Sequence, residues 1–254
     1  MAQPARPLDP DLTDHASSVR LLVEHRLIGA PEIRMDEPPP TGAAEAEALA
    51  RDARARLGVD GPLPALADVC ARFGLYLLVV DSDAEGSWTA LDGVGAAVIG
   101  GRTDSGGRRA RAARQLGRHL FGEAHGIDAF ARAFLVPAPA LRQEWPADPR
   151  LRRPALVRVA GACRVSWDLV VRRAVDLGLV DEGEQRSLAA ATPVLGDFLA
   201  QLGAAPVEDL PVGATGAAWK RAVLAAYGSS LITGEQALDL LHGALTGSAD
   251  LPSR

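Results

Sequence analysis

One six-residue run, LYLLVV at residues 75–80, does most to limit what this chain can become. No purely apolar run in the sequence is longer, whereas a membrane-spanning helix needs roughly 20 apolar residues. The run lies between Gly74 and Asp81 and reads as a buried strand. The next apolar stretch, WTALDGVGAAVIGG at residues 88–101, breaks at Asp92-Gly93, which predicts a hairpin. Hydrophobic residues make up 48% of the chain but aromatics only 4%, so much of the core must be Leu, Val and Ala. Such a core suits packed helices better than a β-sandwich. The expected fold class is therefore α+β, with a small antiparallel sheet inside a mostly helical protein.

The helices are read from period and punctuation. Residues 1–12 hold three prolines and read as a loose arm. Residues 14–29 follow as a helix, with Val19, Leu22, Val23 and Leu27 on one face and Gly29 as its stop. Pro38, Pro39 and Pro40 allow neither helix nor central strand, so residues 31–42 read as a linker. One helix then ends at Gly58, and another runs from Pro64 through Leu66, Val69, Cys70 and Phe73 to Gly74. The basic loop RTDSGGRR leads into a helix over about 107–121, and IDAFARAFLVP is helical until Pro137. From Arg152 to Leu179 the pattern is helix–turn–helix-like, with Val165 and Ser166 as turn and N-cap. Three or four short helices complete the chain, the last opened by a capping box of Thr233 and Gln236.

A net charge of −5 argues against a protein that coats nucleic acid, though not against a local basic patch. Cys70 and Cys163 form no disulfide framework and no paired-cysteine metal motif, and both read as buried thiols. The N-terminus lacks the apolar core of a signal peptide, so the cytoplasm is the default location.

The helix RAARQLGRHLFGE at residues 111–123 carries the functional question. A zinc-peptidase helix places two histidines four residues apart on one face, with a glutamate between them as general base. Taken with DGPLPALADVCARFGLYLLVVD, VGAAVIGG, AFARAFLVP and GACRVSWDLVVRRAVDLGLV, in that order, the helix resembles the ImmA/IrrE family of metallopeptidase-like bacterial regulators. The family pattern is a helix, strand and hairpin, then an RxxxAHELGHxLxG zinc helix, an FAxxLLMP helix and a helix–turn–helix-like tail. The resemblance covers about residues 45–245 and implies a zincin-like domain at 43–150. It implies an all-α region with the helix–turn–helix-like segment at 151–254, and leaves residues 1–42 as arm, helix and linker. Larger relatives carry an Xre-type DNA-binding domain in front of this module. Residues 1–42 are too few for one, so the chain is expected to resemble such a regulator without that domain.

Family members are zinc-dependent endopeptidases that cleave a helix–turn–helix repressor. Matching the motif puts Arg114 and Arg118 at the two histidine ligands and Gln115 at the general base. The third, acidic ligand falls near Glu123 or Asp128, and His119 is turned off the ligand face. Arginine keeps its proton and has no lone pair for a metal, and glutamine cannot accept a proton as a base. The expectation is a site with no metal and no cofactor. His15, His25, His125 and His242 are scattered, and the ordinary role of Glu123 and Asp128 is capping and solvation.

What the rebuilt helix does instead has two readings. Arg102, Arg108, Arg109 and Arg111, with Arg114 and Arg118, make a basic patch in an acidic protein. It serves either as an anion-binding cleft or as a solvated face paired with acids, which is the commoner role for a charge run. In the helix–turn–helix-like segment, Arg164, Arg172 and Arg173 are candidate contacts to DNA or to a partner protein. The expected function is a catalytically inactive regulator, in transcriptional or stress control, that binds a repressor-like or other regulatory protein, with Arg114, Gln115 and Arg118 lining the former cleft as contacts to a partner or an anion. The alternatives are a DNA-binding regulator using residues 152–179 and the basic loop, and a residual zinc endopeptidase. No membrane partner is expected.

Overall fold

A computed structural model describes residues 10–253. Of the arm read at 1–12, residues 1–9 lie outside the described residues. From there the chain is already helical, because α1 spans Pro10–Glu24 and a helix tolerates proline in its first turn. It closes before the expected Gly29. Arg26 takes a left-handed φ of 58°, and the Leu27 and Ile28 amides return to the Leu22 carbonyl at 2.9 and 3.1 Å.

The linker crosses the surface without regular structure, yet Ile33 and Met35 are buried beneath it. Then come α2 (Ala43–Leu57), α3 (Leu66–Arg72) and β1 (Leu75–Val80). The hairpin of β2 (Ser87–Leu91) and β3 (Val94–Gly100) turns at Asp92-Gly93, where Gly93 supplies φ 85°. Next are α4 (Ser105–Phe121), α5 (Ile127–Leu135), α6 (Ala138–Glu144), α7 (Arg152–Cys163) and α8 (Trp167–Asp176). Four further helices follow, as the sequence pattern suggests: α9 (Glu182–Ala190), α10 (Leu195–Leu202), α11 (Ala217–Gly228) and α12 (Gly234–Leu240). Thr233 and Gln236 close the expected capping box on α12.

The α+β class holds, but the sheet is not wholly antiparallel. Its order is β1-β3-β2, with β1 parallel to β3 and only the hairpin antiparallel. The reason lies in burial. Every residue of β3 is buried, so it takes the centre of the sheet and both its faces are covered, the usual situation of a parallel strand. Leu75, Leu77 and Val79 of β1, with Ala97 and Ile99 of β3, face a core shared with α2, α3, α4, α5, α7 and α8. Tyr76, Leu78, Ala96 and Val98 face a second core built with α1, α11 and α12. The first core runs from Ile33 to Leu210 and includes residues on both sides of position 150.

Two devices fix α4, the helix that carries the candidate site. Asp104 caps it by accepting from the Gly107 amide at 2.6 Å. At Gly106 its first turn packs on the α7–α8 turn so closely that a Cβ would collide with the Ser166 nitrogen. Behind it, the chain after α10 runs back along the outer edge of β1. The Gly213 amide donates to Val79 O at 2.8 Å and the Val79 amide to Ala214 O at 3.2 Å, so this edge is not left open.

Candidate functional site

The α4 helix turns Ala112, Ala113, Leu116 and Gly117 into the core and leaves Arg111, Arg114 and Arg118 at the rim. At the positions the zinc motif would give to metal, each guanidinium is held by carboxylates. Arg114 Nη1 lies 2.6 Å from Glu85 Oε2, and its Nε lies 3.0 Å from Asp128 Oδ1. Arg118 Nε lies 3.2 Å from Glu123 Oε1. Glu123 and Asp128, the two acids nearest the third-ligand position, are therefore paired with arginine and not with each other. Gln115 is only 1% exposed and packs beside Gly86, whose missing side chain leaves room for the amide. His119 points the other way. Its Nε2 lies 3.0 Å from Phe73 O, its ring meets Trp88 edge-on, and burial pulls its pKa below the usual histidine value.

The charged face opens into a cleft of about 310 Å³ between α4, α5 and the start of α8. Arg111, Arg114, Arg132 and Arg172 line it together with Glu85, Asp128 and Asp168. Arg111 reaches Gly100 O at 2.9 Å and Asp83 O at 3.2 Å, with Glu85 at 3.5 Å. Arg132 is 2.6 Å from Asp176, and Arg172 is 2.9 Å from Asp168 one turn away on α8. All four guanidiniums are paired, so the cleft is a lattice of ion pairs and not an open anion hole.

The remaining arginines of the expected basic patch do other work. Arg102 is exposed, on Asp81 at 2.9 Å, and holds that carboxyl below its usual range. Arg108 and Arg109 do not belong to a surface patch. Arg108 is nearly buried and donates to Thr103 O at 2.6 Å and to Glu208 at 2.6 Å. Arg109 is 0% exposed, ion-paired with Asp209, and donates to Pro64 O at 3.2 Å. Burial lowers its pKa, and the Asp209 charge opposes that shift. A charge run normally marks solvated surface. Here the chain folds back a hundred residues later to supply the buried acid.

The helix–turn–helix-like segment is also revised. Its turn forms as read, with Arg164 at φ 55° closing α7 and Ser166 capping α8 at the Leu169 amide. Yet Arg164 turns inward to Leu63 O, with Asp209 at 3.9 Å. Arg173 is 2% exposed, donates to Val136 O at 2.8 Å and pairs with Glu47 at 2.6 Å. Neither has a free face for DNA. Of the three candidates only Arg172 is exposed, and Trp167, Leu169, Val170 and Val171 bury the start of α8 against the body.

Comparison with known proteins finds no match: no family model, no curated protein and no solved structure matches the chain. Among the described residues, no group of three or more His, Cys, Asp or Glu side chains could hold a metal ion, and no helix is long and apolar enough to cross a membrane. The residues at positions 114, 115 and 118 do not fit zinc, since guanidinium nitrogens carry no lone pair and the nearby carboxylates already hold those cations. The fold brings Arg111, Arg114 and Arg172 to one cleft, and separates from it Arg102, Arg108, Arg109, Arg118, Arg164 and Arg173. Sequence reasoning missed Glu85, which anchors two cleft arginines from the loop before β2. Its only signal is one acid among several in DSDAEG.

Proposed function

We propose that this chain is a non-catalytic regulator with an ImmA/IrrE-like, zincin-like architecture, whose outer α4 face, with Arg114 in the α4–α5–α8 cleft and Arg118 one turn beyond it, binds a protein partner without cutting it. One observation carries the reading. The arginines at both metal positions are ion-paired with Asp128 and Glu123, the alternative candidates for the third zinc ligand, so guanidinium charge stands where a metal would. Such pairs can exchange for charged groups of a partner, and buried or bidentate arginine contacts give geometric specificity. A repressor-like regulatory protein of the cytoplasm, acting in transcriptional or stress control, is the partner class this reading implies. The DNA-binding alternative loses support because Arg173 is buried, Arg164 is half-buried, and both are bonded inward.

The test is affinity capture from the native host, with and without nuclease, comparing the wild type with an R114A/R118A variant. The reading expects one intact protein at near-stoichiometric yield that survives nuclease and is lost from the variant. Capture of nucleic acid alone, cleavage of the partner, or an unchanged yield from the variant would overturn it.

A further inference from the structure

A second hollow, of about 560 Å³, lies on the far side of α5 from the charged cleft, between α2, α5, α6 and the end of α8. Its walls are made of small apolar groups, among them Ala129, Ala133, Pro137 and Ala138, with Leu177 at one end. Both its size and its apolar lining fall in the range of small-molecule sites.

The charges around it do not balance. Glu47 is paired with Arg173, and Asp176 with Arg132. Arg54 is 4% exposed and lines the hollow, but it donates only to carbonyls: Phe134 O at 2.8 Å, Asp60 O at 3.3 Å and Gly61 O. No carboxylate lies within ion-pair distance of it, and the Asp60 carboxylate acts on it only from further away. Arg51 and Arg142 stand exposed at the rim, and among the described residues neither guanidinium has a hydrogen-bond or ion-pair partner. The arginines of the charged cleft are each matched by an acid. Here Arg51, Arg54 and Arg142 face Asp60 alone. Arg54 is satisfied by its carbonyls, whereas the guanidiniums of Arg51 and Arg142 keep all their donors free for an anion, and charge-assisted bonds to a carboxylate are the strong ones.

We propose that this hollow binds a small organic acid, with its hydrocarbon body on the alanine-rich floor and its carboxylate on Arg51 and Arg142. The hollow shares the Asp176–Arg132 pair with the cleft beside α4, but R51A/R142A touches neither residue, so the partner-binding reading is tested separately. A free acid fits better than a peptide segment because helices α2, α5, α6 and α8 supply most of the walls and offer no strand edge to pair with, and both free cations line the same hollow.

The experiment is calorimetric titration of the full chain with acetate, hexanoate and decanoate, and with 1-hexanol as the uncharged comparison. Affinity should climb with chain length, by about threefold or more for each added methylene that is buried. Hexanol should bind at least about tenfold more weakly than hexanoate, since it lacks the charge-assisted bonds. An R51A/R142A variant should lose a similar factor, and these exposed, unpartnered residues can be removed without unfolding the chain. Leu199→Ser alters an exposed apolar patch on α10 and should leave binding unchanged. The proposal is overturned if hexanol matches hexanoate, if R51A/R142A binds as the wild type does, or if Leu199→Ser abolishes binding. It is equally overturned if only a glutamate-rich peptide binds.

Discussion

Substituting Asp209 by asparagine removes one charge from the tightest polar knot in the molecule. Asp209 is 7% exposed, pairs with the fully buried Arg109, and accepts from the Leu66 amide at 3.2 Å and the Leu210 amide at 3.0 Å. It joins the segment after α10 to α3 and α4, across a hundred residues of sequence. Asparagine keeps the shape and one acceptor oxygen but leaves Arg109 held only by the Leu63 and Pro64 carbonyls. Breaking a buried pair by removing one partner costs about 3–5 kcal/mol. For a chain of this length each kcal/mol moves the melting temperature by about 2–4 °C, so the expected loss is about 6–20 °C. The assay is paired thermal and urea unfolding of wild type, Asp209→Asn, Arg109→Met and the double variant R109M/D209L. The double variant should be more stable than the two single losses predict by about 2 kcal/mol, because it leaves no unpaired charge behind. Single variants within about 1 kcal/mol of wild type, or strictly additive losses, would refute the reasoning.

Two further outcomes follow from buried groups. His15 has Nε2 3.1 Å from Tyr76 O, and burial pushes its pKa down to about 4 against the opposing effect of that hydrogen bond. The unfolded chain, titrating near 6.5, then binds more protons between these values, so this contribution is complete above pH 6.5 and falls away toward pH 4, by about 3 kcal/mol. His15→Gln should flatten the stability slope across that window in urea titrations, and an unaltered slope would contradict the assignment. Cys70 is pushed up to about 12 by burial, and burial raises Cys163 as well. A thiol reagent at pH 8 should therefore find neither in the native chain and both after unfolding, and rapid native labelling would be incompatible with this packing.

How far the sequence led depends on the range of the interaction. Gly74 and Asp81 bracket β1, and Asp92-Gly93 makes the hairpin, because those signals are local. The pairing of β1 with β3 was not legible, since strand partners are chosen by the two cores that cover β3 from either side. The same holds for charge. Arg102 through Arg118 read as one basic run, but the fold sends Arg109 inward to Asp209 and leaves Arg114 outward on Glu85. Spacing on α4 brought the altered motif into view, while the acids that hold Arg108, Arg109 and Arg114 (Glu208, Asp209 and Glu85) lay in loops well away along the chain. Arg164 and Arg173 show the same limit, as their carbonyl partners Leu63 and Val136 carry no side-chain signature at all.

The proposed function requires a peptidase-like cleft, with Arg114 and Arg118 standing where metal ligands would. Zinc content, measured by elemental analysis on the freshly purified wild type and on an R114H/Q115E/R118H variant, tests both halves together. We expect no stoichiometric zinc in the wild type and one zinc per chain in the variant, where two histidines would join Asp128 or Glu123. One zinc per chain in the wild type would contradict the loss of the metal site, and a variant that stays metal-free while folded would contradict the peptidase-like cleft itself.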